Sequence, residues 1–280
     1  MTTTIKRLLT FCIGIPLVLF LAFIPFYNHL PLNIVILFFV AFSADEFYNI
    51  LSKQAVLPPK VLMIIVSLLM PVATYLFSLF GINQDIVIWV LLPLILLFMA
   101  AECFTAKTFE NSLKKIGFTT LHLFYVSYLF SFLIRITTLP ENTNYFIGLF
   151  FIQVFMCDSC AWFFGILFGK NNRGIIAASP KKSIVGFIGG IFGSVLFSVI
   201  FKLIFPEVFI MPFWKIIVLA LLTSFATIIG DLIESVFKRS SDFKDSGNII
   251  PGRGGALDSV DSVIASAPVF YIALYLLQII

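Results

Sequence analysis

The chain has 280 residues, of which 60% are apolar and only 11% charged, with a formal net charge of +4. A water-soluble domain of this length requires far more polar surface, so the soluble globular classes are excluded. Repeated apolar runs of roughly 20 residues match the length a helix needs to cross a hydrocarbon core of about 30 Å. They also lack the alternation of barrel strands, and helices leave no backbone polar group stranded in lipid.

The runs predict nine helices near 8–26, 31–51, 61–80, 85–101, 116–136, 145–168, 183–204, 213–233 and 263–280, an all-α polytopic membrane protein. Lys6 and Arg7 precede the first run. That run is longer than the apolar core of a signal peptide and has no small-residue cleavage site after it, so it is expected to persist as the first helix. The basic residues then set the orientation. Lys6 and Arg7, Lys53 and Lys60, Lys107, Lys114 and Lys115, Lys170, Arg173, Lys181 and Lys182, and Lys238, Arg239, Lys244 and Arg253 place 15 of the 18 on alternate loops. The positive-inside bias predicts a cytoplasmic N-terminus and an external C-terminus. Arg135, Lys202 and Lys215 fall near the other face, at helix ends from which a long side chain can snorkel to water.

By organisation, residues 1–115 read as N-terminal transmembrane helices and 116–280 as a C-terminal region with two polar cytoplasmic loops, 169–182 and 234–262. Cys12, Cys103, Cys157 and Cys160 do not form a secreted disulfide framework, because three lie in or beside apolar spans. Cys157 and Cys160 make a CxxC without a second ligand pair, which reads as small-residue packing. Gly186, Gly189, Gly190 and Gly193 give the seventh span a small face suited to a close helix neighbour.

The charges need more explanation. Asp158 lies inside an apolar span, where an ionised carboxylate costs about 3 kcal/mol, so it is expected to face a polar cavity or a partner. Asp231 and Glu234 are three apart at the end of the eighth span, hence on one helix face. Asp258 and Asp261 are three apart just before the last span, and Asp242, Asp245, Lys238, Arg239, Lys244 and Arg253 lie between the two pairs. Loop charges are often merely solvated, but Asp231 follows a long apolar run and so sits at the membrane boundary. The segment Pro251 to Gly255 offers close backbone approach and bare N–H groups of the kind that cradle phosphate. Carboxylates beside basic residues and a glycine-rich turn suit a hard divalent cation bridging phosphates. Neither GxxxxGK[ST] nor GxGxxG is present.

Residues 235–261, SVFKRSSDFKDSGNIIPGRGGALDSVD, closely resemble the signature of the phosphatidate cytidylyltransferases, or CDP-diacylglycerol synthases. Ser235, Lys238, Arg239, Lys244, Asp245, Pro251, Gly254, Gly255, Asp258 and Asp261 fall in register with it. A second stretch, with Asp158, Ala161, Gly165, Gly169 and Lys170 followed by SPKKS at 179–183, is also similar to the family. Four positions depart from its pattern. Arg253 stands where His is usual, Ser259 where Arg is usual, Ala256 where a larger aliphatic residue is usual, and Val185 where Glu is common.

The resemblance implies transfer of CMP from CTP to phosphatidic acid, giving CDP-diacylglycerol and pyrophosphate, with Mg2+ and room for a monovalent cation. It implies Asp231, Asp258 and Asp261 as metal ligands. Lys238, Arg239, Lys244 and Arg253 would contact phosphates, with Lys181 and Lys182 as further candidates, and Asp245 would orient a basic side chain or a metal-bound water. Ser235, Gly254, Gly255 and Asp158 complete the expected substrate site. Membrane lipids and the two substrates are the implied partners, nucleic acid is not, and a homodimer is compatible with the likeness although no dimer face is legible. His29 and His122 lie outside the cluster, in keeping with a lipid phosphate that is itself the nucleophile.

Other readings stay open: a different lipid phosphate as acceptor, an inactive relative, or a transporter or channel. Against the last, the sequence lacks paired broken helices, and its charges gather on one face rather than at midplane. One departure is directly testable. If Arg253 restores the positive charge absent at Ser259, then Arg253→Ala weakens CTP binding in a titration far more than Ser259→Ala; equal, small effects would reject that compensation.

Overall fold

The computed structural model describes Gly14 and residues 16–280. Among them, eight helical segments are long and apolar enough to cross a membrane, and there is no β-sheet. Residues 8–13 and 15 of the expected 8–26 span lie outside the described residues, as do Lys6, Arg7 and Cys12; residues 16–22 are helical.

The helices are α1 (Leu30–Leu51), α2 (Lys60–Leu79), α3 (Ile88–Thr105), α4 (Ser112–His122), α5 (Leu129–Thr137), α6 (Thr143–Phe168), α7 (Ile184–Ile204), α8 (Phe213–Ser240) and α9 (Leu257–Leu276). A short tight turn of helix, Gln84–Val87, leads into α3, and a π-helical turn, Leu123–Tyr128, joins α4 to α5 within one span. Two boundaries differ usefully from expectation. The eighth span continues to Ser240, and the last begins at Leu257 rather than near 263. Lys238 and Arg239 therefore occupy a helix's last turn, and Asp258 a helix's first turn. Both placements are favourable to the helix dipole.

The chain divides into two compact units. The first comprises residues 1–138 and 237–259, the second 139–236 and 260–280. The first is built around Met63, Val66, Met70, Val87, Leu91 and Leu123. An aromatic group, in which Phe47 packs on His122, Tyr125 and Phe237, ties α1, the π-helical turn and the end of α8 together. His122 is fully buried, and its Nε2 lies 3.1 Å from Ser67 Oγ, a structural role. Arg135 does not snorkel. It is buried, with Nη1 2.9 Å from Asp85 Oδ1 and Nη2 donating to the Gln84 carbonyl at 2.7 Å, because a desolvated guanidinium requires partners.

The second unit depends on glycine. A Cβ added at Gly186 would lie 2.9 Å from the Ala161 carbonyl oxygen, and one at Gly190 would lie 2.8 Å from that of Cys157. At Gly189 it would strike Phe164, and at Gly193 the Cys160 thiol. The small face of α7 thus lies directly on the α6 backbone. Cys157 and Cys160 are part of that contact, and the Cys157 thiol also approaches the Ser224 carbonyl at 3.8 Å. Lys202 is buried and donates to the Phe209 carbonyl. Asp158 follows Cys157 on α6.

Filling the α6–α7 contact is expected to destabilise the protein. Gly190→Ile should lower the unfolding temperature in detergent, by an amount corresponding to about 1–3 kcal/mol. Gly117→Ala, where an added Cβ meets nothing within 4 Å, should leave it unchanged or raise it.

Candidate active site

The loop between α8 and α9 is organised by two carboxylates. Asp258 belongs to the first turn of α9, and its Oδ2 accepts from the backbone N–H of both Ser246 and Gly255, each at 2.8 Å. Its Oδ1 lies 2.5 Å from Lys238 Nζ, and both side chains are largely shielded, at 7% and 11% exposure. The other carboxylate comes from far away in sequence. Glu46 of α1 is buried; its Oε2 accepts from Ser246 Oγ at 2.8 Å and from the Leu257 N–H at 2.9 Å, and its Oε1 from the Ala256 N–H at 2.9 Å. Ser246 Oγ in turn accepts from the Asp258 N–H at 3.2 Å.

This arrangement overturns the expectation of a phosphate cradle made from bare N–H groups. The N–H groups of Gly255, Ala256 and Leu257 point onto Asp258 and Glu46, while those of Arg253 and Gly254 donate to the Ile250 carbonyl. The glycines serve the carboxylates. Gly254 has φ +114, and a Cβ there would come within 2.5 Å of Asp258 Oδ2. A Cβ at Gly255 would strike Ser246 Oγ and Glu46, and one at Gly247 would also strike Glu46. The physical reason is the helix N-terminus: its N–H groups attract an anion, and here side chains of the same chain supply it.

With the N–H groups of Ser246 and of Arg253 to Asp258 engaged, the basic side chains are the remaining cationic groups of the loop. Lys244 and Asp245 are exposed on this loop. Arg239, exposed at the end of α8, donates from Nη1 to the Phe243 carbonyl at 3.0 Å. Arg253 is partly buried.

In the second unit, the sequence-predicted acids gather. Asp261 is buried and lies within electrostatic reach of Asp231, Glu234 and Asp158. The Ser262 hydroxyl sits 3.5 Å from Asp158 Oδ1, at the outer limit of a hydrogen bond. Glu234 is fully buried and Ser235 nearly so. Gly230 lets α9 come close: a Cβ there would lie 2.8 Å from the Asp261 carbonyl oxygen. Acids collected in apolar surroundings are unfavourable unless cations or protons balance them, and Lys182 supplies one positive charge through its ion pair with Asp231.

The loop between α6 and α7 holds Lys182 in place. Arg173 donates to the Gly165 carbonyl at 2.8 Å, the Gly174 N–H donates to Pro180, and Ser183 caps α7 by accepting from the Gly186 N–H at 3.1 Å. Lys181, one residue earlier, is exposed.

Of the predicted metal ligands, Asp231 and Asp261 belong to this acid cluster, whereas Asp258 is occupied with the glycine loop. Among the described residues, no three His, Cys, Asp or Glu side chains are spaced to hold a metal ion. The donor chemistry still fits Mg2+, which is commonly held by one or two carboxylates together with substrate phosphates and water, not by a cage of protein ligands. Sequence reasoning missed Glu46. Its one signal was an acid near the end of an apolar run, at the pair Asp45–Glu46.

Gly255→Ala is expected to unseat the loop. Trypsin should then cut after Lys244 or Arg253 roughly tenfold faster than in the unsubstituted protein, in line with about 1–3 kcal/mol of overpacking. An unchanged cleavage rate would mean that the carboxylates tolerate the methyl group.

The sequence is similar to those of known proteins. A family model described as the Cytidylyltransferase family matches residues 5–277. A phosphatidate cytidylyltransferase of Bacillus subtilis is 31% identical over 182 residues, 65% of this chain and 66% of its own length. One from Staphylococcus saprophyticus is 32% identical over 158 residues, 56% of this chain and 58% of its own. One from Staphylococcus aureus is 36% identical over 137 residues, 49% and 51% respectively. The matched segments thus span between half and two thirds of these relatives. With the family model covering nearly the whole sequence, the chain belongs to the cytidylyltransferase family.

Proposed function

We propose that this protein is a membrane-embedded phosphatidate cytidylyltransferase: it transfers CMP from CTP to phosphatidic acid, releasing pyrophosphate. The observation that carries this reading is the pairing of Lys238 with Asp258 beside a turn in which the N–H groups from Arg253 to Asp258 are already satisfied. The signature residues form a folded scaffold, and basic side chains are left to meet phosphates. The similarity to relatives named for this activity supports the same choice.

In the reaction, a phosphate oxygen of the lipid attacks the α-phosphorus of CTP. A new P–O–P bridge forms, the bond from the α-phosphorus to the β-bridging oxygen breaks, and pyrophosphate leaves with that electron pair. The lipid phosphate, with a second pKa of about 6 as for other phosphomonoesters, is already largely dianionic at neutral pH and needs no general base. This leaves the protein with two tasks, bringing anions together and stabilising the departing charge.

Lys238, Arg239, Lys244 and Arg253 are assigned to the phosphates, with Lys181 and Lys182 as further contacts. Lys238 is held in a defined rotamer by Asp258, which lowers the entropy lost on binding. Asp245 is assigned to orienting a basic side chain or a metal-bound water, and Ser235 to the substrate site. Asp231 and Asp261 would hold Mg2+, with Asp158 and Glu234 adding negative potential. When bound, that ion neutralises phosphate charge and stabilises the leaving pyrophosphate. The asymmetry of Lys and Arg residues supports a cytoplasmic-membrane location with the site facing the cytoplasm, where CTP is found.

Membranes containing the protein, given labelled CTP, Mg2+ and phosphatidic acid, should yield lipid-soluble label, and chelation should abolish it. Asp261→Asn should lower turnover by about 100-fold or more while membrane insertion persists. Undiminished turnover in that variant would remove the cation assignment. Label appearing only with an isoprenoid phosphate acceptor would replace phosphatidic acid as the substrate.

A further inference from the structure

Glu46 lies outside the signature segment, on a helix in the first fifth of the chain, yet it makes three hydrogen bonds to residues 200 to 211 positions away. We infer that Glu46 is a positioning residue for catalysis, setting the place of Lys238 through the sequence Glu46–Ser246–Asp258–Lys238. Each link is a direct contact. Glu46 Oε2 accepts from Ser246 Oγ, Ser246 Oγ accepts from the Asp258 N–H while its own N–H donates to Asp258 Oδ2, and Asp258 Oδ1 meets Lys238 Nζ at 2.5 Å.

Packing alone does not account for this geometry. A buried carboxylate inside an apolar helix bundle is costly, and the first-unit core has abundant apolar groups that could fill the same volume. A carboxylate is instead required by the donors it meets. Three donors converge on two oxygens, so both atoms must be acceptors. A carboxamide has one acceptor oxygen, and in either flip its NH2 group would face the Ala256 or the Leu257 N–H. Aspartate is one methylene too short. The surrounding glycines corroborate the specificity, since Cβ atoms at Gly247 and Gly255 would both strike the Glu46 carboxylate. The neighbouring acid has a different role: Asp45 pairs with Lys60 at 2.6 Å on the partly exposed side of α1.

The catalytic half of this inference rests on the proposed function, so the test has two independent arms. In the first, Glu46→Gln is expected to lower turnover about 10- to 100-fold, the range over which loss of a supporting hydrogen-bond partner degrades a site. In a Lys238→Ala background the same substitution should produce little further loss, because its effect runs through Lys238. A merely structural role would lower activity by the same factor in both backgrounds, which would overturn the inference, as would wild-type turnover in Glu46→Gln. The second arm needs no substrate. Amide hydrogen exchange at Gly255, Ala256 and Leu257 in the full-length protein should accelerate in Glu46→Gln at least tenfold. Unchanged exchange would overturn the anchoring whether or not the protein makes CDP-diacylglycerol. If the unsubstituted protein made no product but the exchange accelerated, the anchoring would stand and the proposed activity would fall.

Discussion

The signature loop of this protein is a stretch of backbone wrapped around two buried carboxylates. Glu46 and Asp258 together take the N–H groups of Ser246, Gly255, Ala256 and Leu257, and Gly247, Gly254 and Gly255 are positions where a methyl group would collide with one or the other. The start of a helix has exposed donors and a positive end of its dipole, and placing an anion there is favourable. Here the chain satisfies that demand internally. Much else in the first unit follows: the ordering of Ser246, the clamping of Lys238, and the exposure of Lys244 and Asp245 at the loop's surface.

The second unit has a different problem. Asp158, Asp231, Glu234 and Asp261 come from three helices and meet within electrostatic reach. Their proximity depends on small residues: Gly230 under α9, and the glycine face of α7 against α6. Lys182, held by the capped start of α7 and the tight α6–α7 loop, balances part of the charge. Such a cluster suits the proposed Mg2+, for which a nucleotide's phosphates would bring the remaining ligands. The polar cost of these acids and the close packing around them therefore belong to one design constraint.

Much of this was legible without coordinates. Hydropathy and length gave the helices, because a span's periodicity and its 20-residue reach are local properties. Asp158 stands out as an acid inside an apolar run, Asp231 as one at the end of such a run, and Asp261 by its spacing from Asp258 and its register with the family signature. The glycines of the PGRGG turn are also conspicuous in the sequence, but which groups they admit is not: Gly254 and Gly255 make room for the carboxylates of Asp258 and Glu46. Position along the chain puts Arg135 at a water-facing helix end, whereas Asp85 and the Gln84 carbonyl hold it buried.

The membrane class, the helical architecture and the basic and acidic groups of the signature can be read from the chain alone, since each is a matter of composition, period or spacing. Tertiary structure alone decided which of those groups are committed to one another. Glu46 meets its partners across 200 and more residues, and no local pattern records a hydrogen bond closed over such a distance. Backbone donors look identical in every sequence; only the fold determines whether they face a ligand, water or a buried acid.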